Sequence, residues 1–246
     1  MVHVGVAGAR GRMGRAVQHV LETRDDVICA LRFDRGEQPD FGSCDVVIDF
    51  TTPEASVALA ERCAEEGRPA LIIGSTGFTP EQAAAVERAA RRIPIVRSGN
   101  FSLGVNVLMG LVQQAAERLR AKDWDIEIFE AHHRRKVDAP SGTALMLGEA
   151  AAAGRGAPLE SLRRPMREGV GEPRESGTIG FSAMRGGGIV GEHSVVVAAD
   201  DEILTLSHSA RDRTLFARGA IEAALWVAGR PAGLYDMQDV LGFRQG

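Results

Sequence analysis

The sequence predicts an α/β fold that opens with a parallel sheet covered by helices on both faces, and three observations carry that prediction. Short, evenly apolar runs alternate with amphipathic helical stretches through about residue 97. The first run passes straight into a glycine-spaced turn that opens a helix. Near Ser98 the pattern changes to one long helix followed by period-two strands, so a second region of different build follows the first.

The elements follow in order. VHVGVA at 2–7 is the first strand, GARGRMG at 8–14 the turn, and AVQHVLE a helix. Asp26 to Phe33 is the second strand and Asp45 to Phe50 the third. Thr52 caps the next helix with Pro53 at its first position, and the helix runs to Glu66. Ala70 to Gly74 is a fourth strand, Thr79-Pro80 opens a helix through Arg92, and Ile93 to Arg97 is a fifth strand. Gly104 to Arg120 reads as one long helix, and Trp124 to Glu130 alternates as a half-buried strand. Ala139 to Ala153 carries Pro140-Ser141-Gly142-Thr143 and then an alanine-rich helix. Residues 155–177, polar and rich in Gly, Pro and Arg, read as a long loop or a partner surface. GIVGEHSVVVAA and EILTLSHSA, joined by Asp200-Asp201, form an antiparallel hairpin. Arg218 to Val227 is a helix, and the last twenty residues read as an irregular tail.

Composition narrows the function classes. With 246 residues, 44% of them hydrophobic, the chain can build one large core or two modest ones. Three cysteines, Cys29, Cys44 and Cys63, have neither an even count nor metal-ligand spacing, which suits reduced thiols in a cytoplasmic protein. No apolar run reaches the ~18 residues of a membrane span, and no signal segment precedes the first strand. A formal charge of −4 argues against nucleic acid as a partner. Only two lysines, Lys122 and Lys136, stand among 29 Lys and Arg residues, so a lysine inside a histidine cluster raises a specific question.

Gly8, Gly11 and Gly14 form GxxGxxG directly after the first strand. Such a turn lets backbone N–H groups and a helix N-terminus approach a pyrophosphate. Arg10 and Arg12 lie within it, and Arg32, Asp34 and Arg35 surround the end of the second strand. An acid there favours the ribose hydroxyls of NAD and an arginine the 2'-phosphate of NADP, so both NADH and NADPH remain open. Phe50-Thr51-Thr52 and Gly74-Ser75-Thr76-Gly77 follow the third and fourth strands, where loops line a cofactor crevice.

The strongest chemical signal is EAHHRRKVDAPSGT at 130–143. Histidine exchanges a proton near neutral pH, lysine holds a carboxylate or stabilises developing negative charge, and the N–H groups opening the Thr143 helix bind a second carboxylate. Adjacent His132 and His133 beside Lys136 do not have the spacing of a metal site, so no metal is expected. His193 and His208 read as fold or interface residues. A serine nucleophile elbow and a triphosphate loop are both absent from the sequence.

With these residues in view the chain resembles the 4-hydroxy-tetrahydrodipicolinate reductase family. The resemblance is carried by GARGRMG, DFTTPE at 49–54, GSTGFT at 74–79, GNFSLGVN at 99–106, EAHHRRKVDAPSGTA at 130–144, RGGGIVGEH at 185–193 and LYDMQDVLG at 234–242. It implies a Rossmann-like dinucleotide-binding domain over 1–103 completed by 214–246, with an inserted α+β mixed-sheet domain over 104–213 that binds substrate and forms a homotetramer. It implies that His132 is the catalytic proton donor and Lys136 a required lysine at the substrate. His133, Ser141, Gly142, Thr143 and Arg213 would bind a small dicarboxylate. The implied cofactor site takes in Gly8, Arg10, Gly11, Arg12, Met13, Gly14, Arg32, Asp34, Phe50, Thr51, Gly74, Ser75, Thr76, Gly99, Asn100 and Phe101. The segment ALRFDRG departs from the family's usual acidic-then-basic pair, which leaves the NADH or NADPH preference open. Two other readings stay open on the residues alone: an amino-acid dehydrogenase, and a sensor that binds NAD(P)H without turnover.

Overall fold

The computed structural model describes residues 1–164, 166–167 and 169–244. It divides into two compact units, Met1–Leu103 with Arg213–Gly246, and Gly104–Asp212. In chain order the first stretch holds β1 (Val2–Ala7), α1 (Arg12–Leu21), β2 (Val27–Phe33), β3 (Val46–Asp49), α2 (Pro53–Glu66), β4 (Ala70–Ile73), α3 (Pro80–Ala90) and β5 (Pro94–Arg97). The second unit holds most of α4 (Leu103–Arg118), then β6 (Asp125–His132), α5 (Gly142–Gly154), α6 (Leu159–Leu162), β7 (Ile179–Arg185), β8 (Gly191–Ala198) and β9 (Ile203–Ala210). The chain returns to the first unit with α7 (Thr214–Val227), β10 (Gly233–Tyr235) and α8 (Met237–Val240).

The first sheet runs β10-β5-β4-β3-β1-β2 with every pairing parallel. Its strands are apolar on both faces, and the period of two sorts their side chains. Val4, Val6, Ile48, Ile72 and Val96 pack with α1 and α7, while Val47, Leu71, Ile73 and Ile95 pack with α2 and α3. The helices begin where the sequence places caps. Thr52 Oγ1 accepts from the Ala55 N–H at 3.4 Å with Pro53 in the first turn, and Thr79 forms a reciprocal capping box with Gln82. Gly67 ends α2 in the left-handed region at φ 72°, a conformation that favours glycine. Gly219 of α7 lies so close to the Phe101 carbonyl that any Cβ would collide with it.

The second sheet is mixed, in the order β7-β6-β8-β9, with β6 parallel to β7 and antiparallel to β8. Helices α4 and α5 cover one face through Leu108, Val112, Ala144 and Leu147, against Ile126, Ile128, Ile179, Val195 and Val197.

Several expectations need correction. The C-terminal tail is not irregular: β10 adds a parallel strand beside β5, and Met237 of α8 is buried at 1% exposure. A strand of three residues is too short to show a period. The polar stretch 155–177 is not loop throughout, since it holds the short helix α6 at Leu159–Leu162, and β7 follows it at Ile179, where Gly180 and Ser182 dilute the strand signal. Arg155 and Arg174 fasten that loop, donating to the carbonyls of Trp124, Ile126, Gly177 and Thr178. Strand β6 runs two residues past Glu130, which brings His132 into the sheet. The cysteines are all free, and burial pushes the Cys63 thiol up to about 12, so it stays protonated.

Candidate active site

Strand β6 places Ile126, Ile128, Glu130 and His132 on its core-facing side, because alternate residues share a face. A carboxylate and an imidazole therefore lie at the end of an apolar row. Glu130 is fully buried, and three groups close on its two oxygens. Arg185 of β7 donates from both terminal nitrogens at 2.7 Å, the Ser141 N–H donates at 3.0 Å, and His132 Nδ1 lies 2.6 Å from Oε2. Burial pushes the Glu130 carboxyl upward, but the hydrogen bonds from Arg185, His132 and Ser141 outweigh it and hold the group below the ordinary glutamate value. The contact turns the imidazole so that Nδ1 meets the carboxylate and Nε2 points away from it. Gly191 faces Nε2, where a Cβ would stand only 3.2 Å away.

The next strands extend the polar row. His193 on β8 pairs in register with Glu130, and His208 on β9 with His193. His193 sits edge-on to His132 with ring centroids 5.1 Å apart, and its Nε2 is 3.1 Å from Ser141 Oγ. Burial and the neighbouring His132 push His193 down to about 4, so it is neutral at physiological pH. Ser141 caps α5 by accepting from the Ala144 N–H at 3.2 Å. Its hydroxyl is thus spent inside the protein, and Gly142 and Thr143 present the first turn of α5. His133 is half-buried, with a shielded Nδ1 that has no partner. Lys136 follows in a turn closed by its N–H on the His133 carbonyl, and its Nζ lies 3.0 Å from Asp138.

The glycine turn lies in the first unit. Gly8 has φ 63°, and Cβ atoms at Gly8 and Gly14 would meet the Thr51 methyl at 2.7 Å and the Gly8 carbonyl at 2.2 Å. Gly11 starts α1 without a side-chain cap, so the first-turn N–H groups of Arg12, Met13 and Gly14 are left for an anion. These features fit a dinucleotide pyrophosphate. A cavity of about 820 Å³ beside the turn is lined by Gly8, Asp34, Arg35, Thr51 and Thr52 among others. Asp34 accepts from the Arg10 N–H, and the Arg10 guanidinium also reaches Glu37 at 3.0 Å, while Arg32 bonds Gln18. Arg12 is exposed and Met13 packs against the core of this unit.

Buried Asp49 ties the next two loops together. It accepts from the Thr51 N–H and hydroxyl and from Ser56, whose hydroxyl also meets Ser75 at 2.6 Å. Gly74 packs directly against the Phe50 ring, which stands edge-on to Phe101. Ser75, Asn100 and Phe101 are buried, and Thr76 and Gly99 are exposed. Arg213 is exposed at the start of α7, in the first unit rather than with His132.

Sequence reading missed Glu130, Arg185 and the placement of His193. A signal for Glu130 was present: it keeps the phase of Ile126 and Ile128, so an acid had to fall on the apolar face. Among the described residues no group of three or more His, Cys, Asp or Glu side chains could hold a metal ion.

A parallel sheet with a glycine-lined helix start, joined to a second sheet bearing a carboxylate-oriented histidine, defines the class of NAD(P)H-dependent oxidoreductases. Two family models cover the chain: dihydrodipicolinate reductase, N-terminus, matches residues 2–101, and dihydrodipicolinate reductase, C-terminus, matches residues 104–241. The chain belongs to the dihydrodipicolinate reductase family. It is 62% identical to the 4-hydroxy-tetrahydrodipicolinate reductase of Caulobacter vibrioides, covering 99% of this chain and 98% of that one. It is 47% identical to the enzyme of the same name from a Chelativorans species, covering 98% and 95%. Its fold matches a dipicolinate-bound dihydrodipicolinate reductase from Paenisporosarcina sp. TG-14 with a TM-score of 0.78, at 22% identity over 96% of this chain and 97% of that one.

Proposed function

We propose that the chain reduces the dehydrated form of (2S,4S)-4-hydroxy-2,3,4,5-tetrahydrodipicolinate to (S)-2,3,4,5-tetrahydrodipicolinate, using NADH or NADPH, in lysine and diaminopimelate biosynthesis. The observation that carries this reading is the His132 ring, held through Nδ1 by buried Glu130 next to a lysine turn and a helix start. A bound dihydronicotinamide supplies a hydride to C4 of the unsaturated ring. His132 then donates the proton on Nε2 to the enamine that remains, leaving the cyclic imine. Lys136 and the Gly142 and Thr143 N–H groups hold the two carboxylates and offset charge as it develops, with His133 and Arg213 as further anion ligands. The backbone at Gly8, Gly11 and Gly14 holds the pyrophosphate.

The remaining assignments belong to the same proposal. A cytoplasmic location suits the free thiols. Among the described residues no helix is long and apolar enough to cross a membrane. A homotetramer is supported by the face of the second sheet opposite α4 and α5, which exposes Phe129, Met184 and Ile203.

The test couples the protein to the preceding synthase, which makes the substrate in place from pyruvate and aspartate semialdehyde, and follows the loss of nicotinamide absorbance with each cofactor. Rapid oxidation only when the coupled substrate is present is expected. Folded protein that binds nucleotide yet oxidises neither cofactor, or that turns over a diamino acid instead, overturns the reading.

A further inference from the structure

The donors around Glu130 carry a consequence for His132. Oε1 receives the Ser141 N–H at 3.0 Å and Arg185 Nη2 at 2.7 Å. Oε2 receives Arg185 Nη1 at 2.7 Å and His132 Nδ1 at 2.6 Å. Three fixed donors, the Ser141 N–H and both Arg185 terminal nitrogens, converge on a carboxylate with no solvent exposure and favour its ionised form, which leaves His132 Nδ1 to supply the fourth hydrogen. Three of the four are fixed by elements that do not move with the imidazole: the β7 strand, which pairs with β6 along its whole length, and the backbone at the α5 cap.

We propose that Glu130, locked by Arg185 and the Ser141 N–H, is the positioning residue of the proton donor: it fixes the His132 ring and its tautomer so that Nε2 is the only atom that exchanges the proton. Arg185 acts one step further out, by keeping the carboxylate ionised and in place. The inference rests on the assignment of His132 as the acid in the proposed reaction, but the tautomer it specifies stands apart from that assignment.

An amide at position 130 sets the consequence. Whichever end of a glutamine side chain carries the NH2, that end meets two donors. The NH2 settles toward His132, the one partner that can accept instead of donate, so Nδ1 accepts and the neutral ring carries its hydrogen on Nε2. The variant Glu130→Gln is therefore expected to lower kcat about 100-fold or more. KM for the nucleotide should stay within about twofold, because uniform binding is untouched.

The deciding measurement is the ring 15N NMR of His132 in the intact protein, at a pH where the ring is neutral, assigned by comparison with His132→Gln. Wild type should show the Nδ1–H form, and Glu130→Gln should lose it. Neutral wild-type His132 with its hydrogen on Nε2 overturns the proposal without any variant, which keeps it testable if Glu130→Gln fails to fold. Arg185→Met, which removes two of the three fixed donors to Glu130, should weaken the Nδ1–H preference and lower kcat by less than Glu130→Gln does. A Glu130→Gln protein with unchanged kcat and a crippled His132→Gln also overturns it. Unchanged kcat in His132→Gln, together with the Nδ1–H tautomer, would instead sink the acid assignment and leave the positioning intact.

Discussion

His193 shows how one side chain links the site to stability. It lies across from Glu130 at 4% exposure, bonds Ser141, and is pushed down to about 4 by burial first and by His132 second. A histidine depressed in the folded state binds fewer protons there than in the unfolded chain. Its contribution is therefore complete above the unfolded value of 6.5 and is lost as pH falls toward about 4. The expected size is on the order of 3 kcal/mol, taken as an upper bound. Denaturant unfolding at a series of pH values should show wild type losing stability across that window. His193→Gln, which keeps a hydrogen-bonding group near Ser141, should lose markedly less. Equal slopes for the two proteins would mean that other groups cause the acid sensitivity.

At the scale of elements the C-terminal segment is the sharper test, because it departs most from expectation. Met237 of α8 is buried in the same cluster as Val96, Ile221 and Ala224, and β10 covers the outer edge of β5. Met237→Ala should cost about 2–5 kcal/mol, the range for emptying a buried methionine site. Differential scanning calorimetry reads this as a lowered Tm, and a loss below 1 kcal/mol would show that the segment is only loosely attached. Most other elements were legible because their physics is local: Thr52-Pro53 and Thr79-Pro80 are caps in the sequence and in the structure. Strands β7 and β10 were not, since pairing with β6 and β5 makes them strands and no run of their own residues does so. The site divides the same way. The cluster His132 to Thr143 is contiguous and could be read directly. Arg185 reaches Glu130 from 55 positions away in sequence, through a parallel strand that no local pattern announces.

For the whole molecule, the open question is what the second sheet does with its other face. Alternate residues put Phe129 of β6, Met184 of β7, Val196 of β8 and Ile203 of β9 on the side opposite α4 and α5. Phe129, Met184 and Ile203 are 40%, 46% and 69% exposed in the single chain. Apolar residues recurring on all four strands of one face differ from scattered surface apolars, which need no explanation. A second copy of the same face is the simplest cover, since closed symmetry matches a patch with itself. Two lysines placed there, Phe129→Lys with Ile203→Lys, would be buried without partners in such an interface, at a cost of several kcal/mol. Light scattering should find wild type at the mass of four chains and the double variant at a smaller mass. Nucleotide affinity should remain within about twofold, because the glycine turn belongs to the other unit. A wild-type protein that runs as a single chain would mean that this face meets something other than a second copy of the chain.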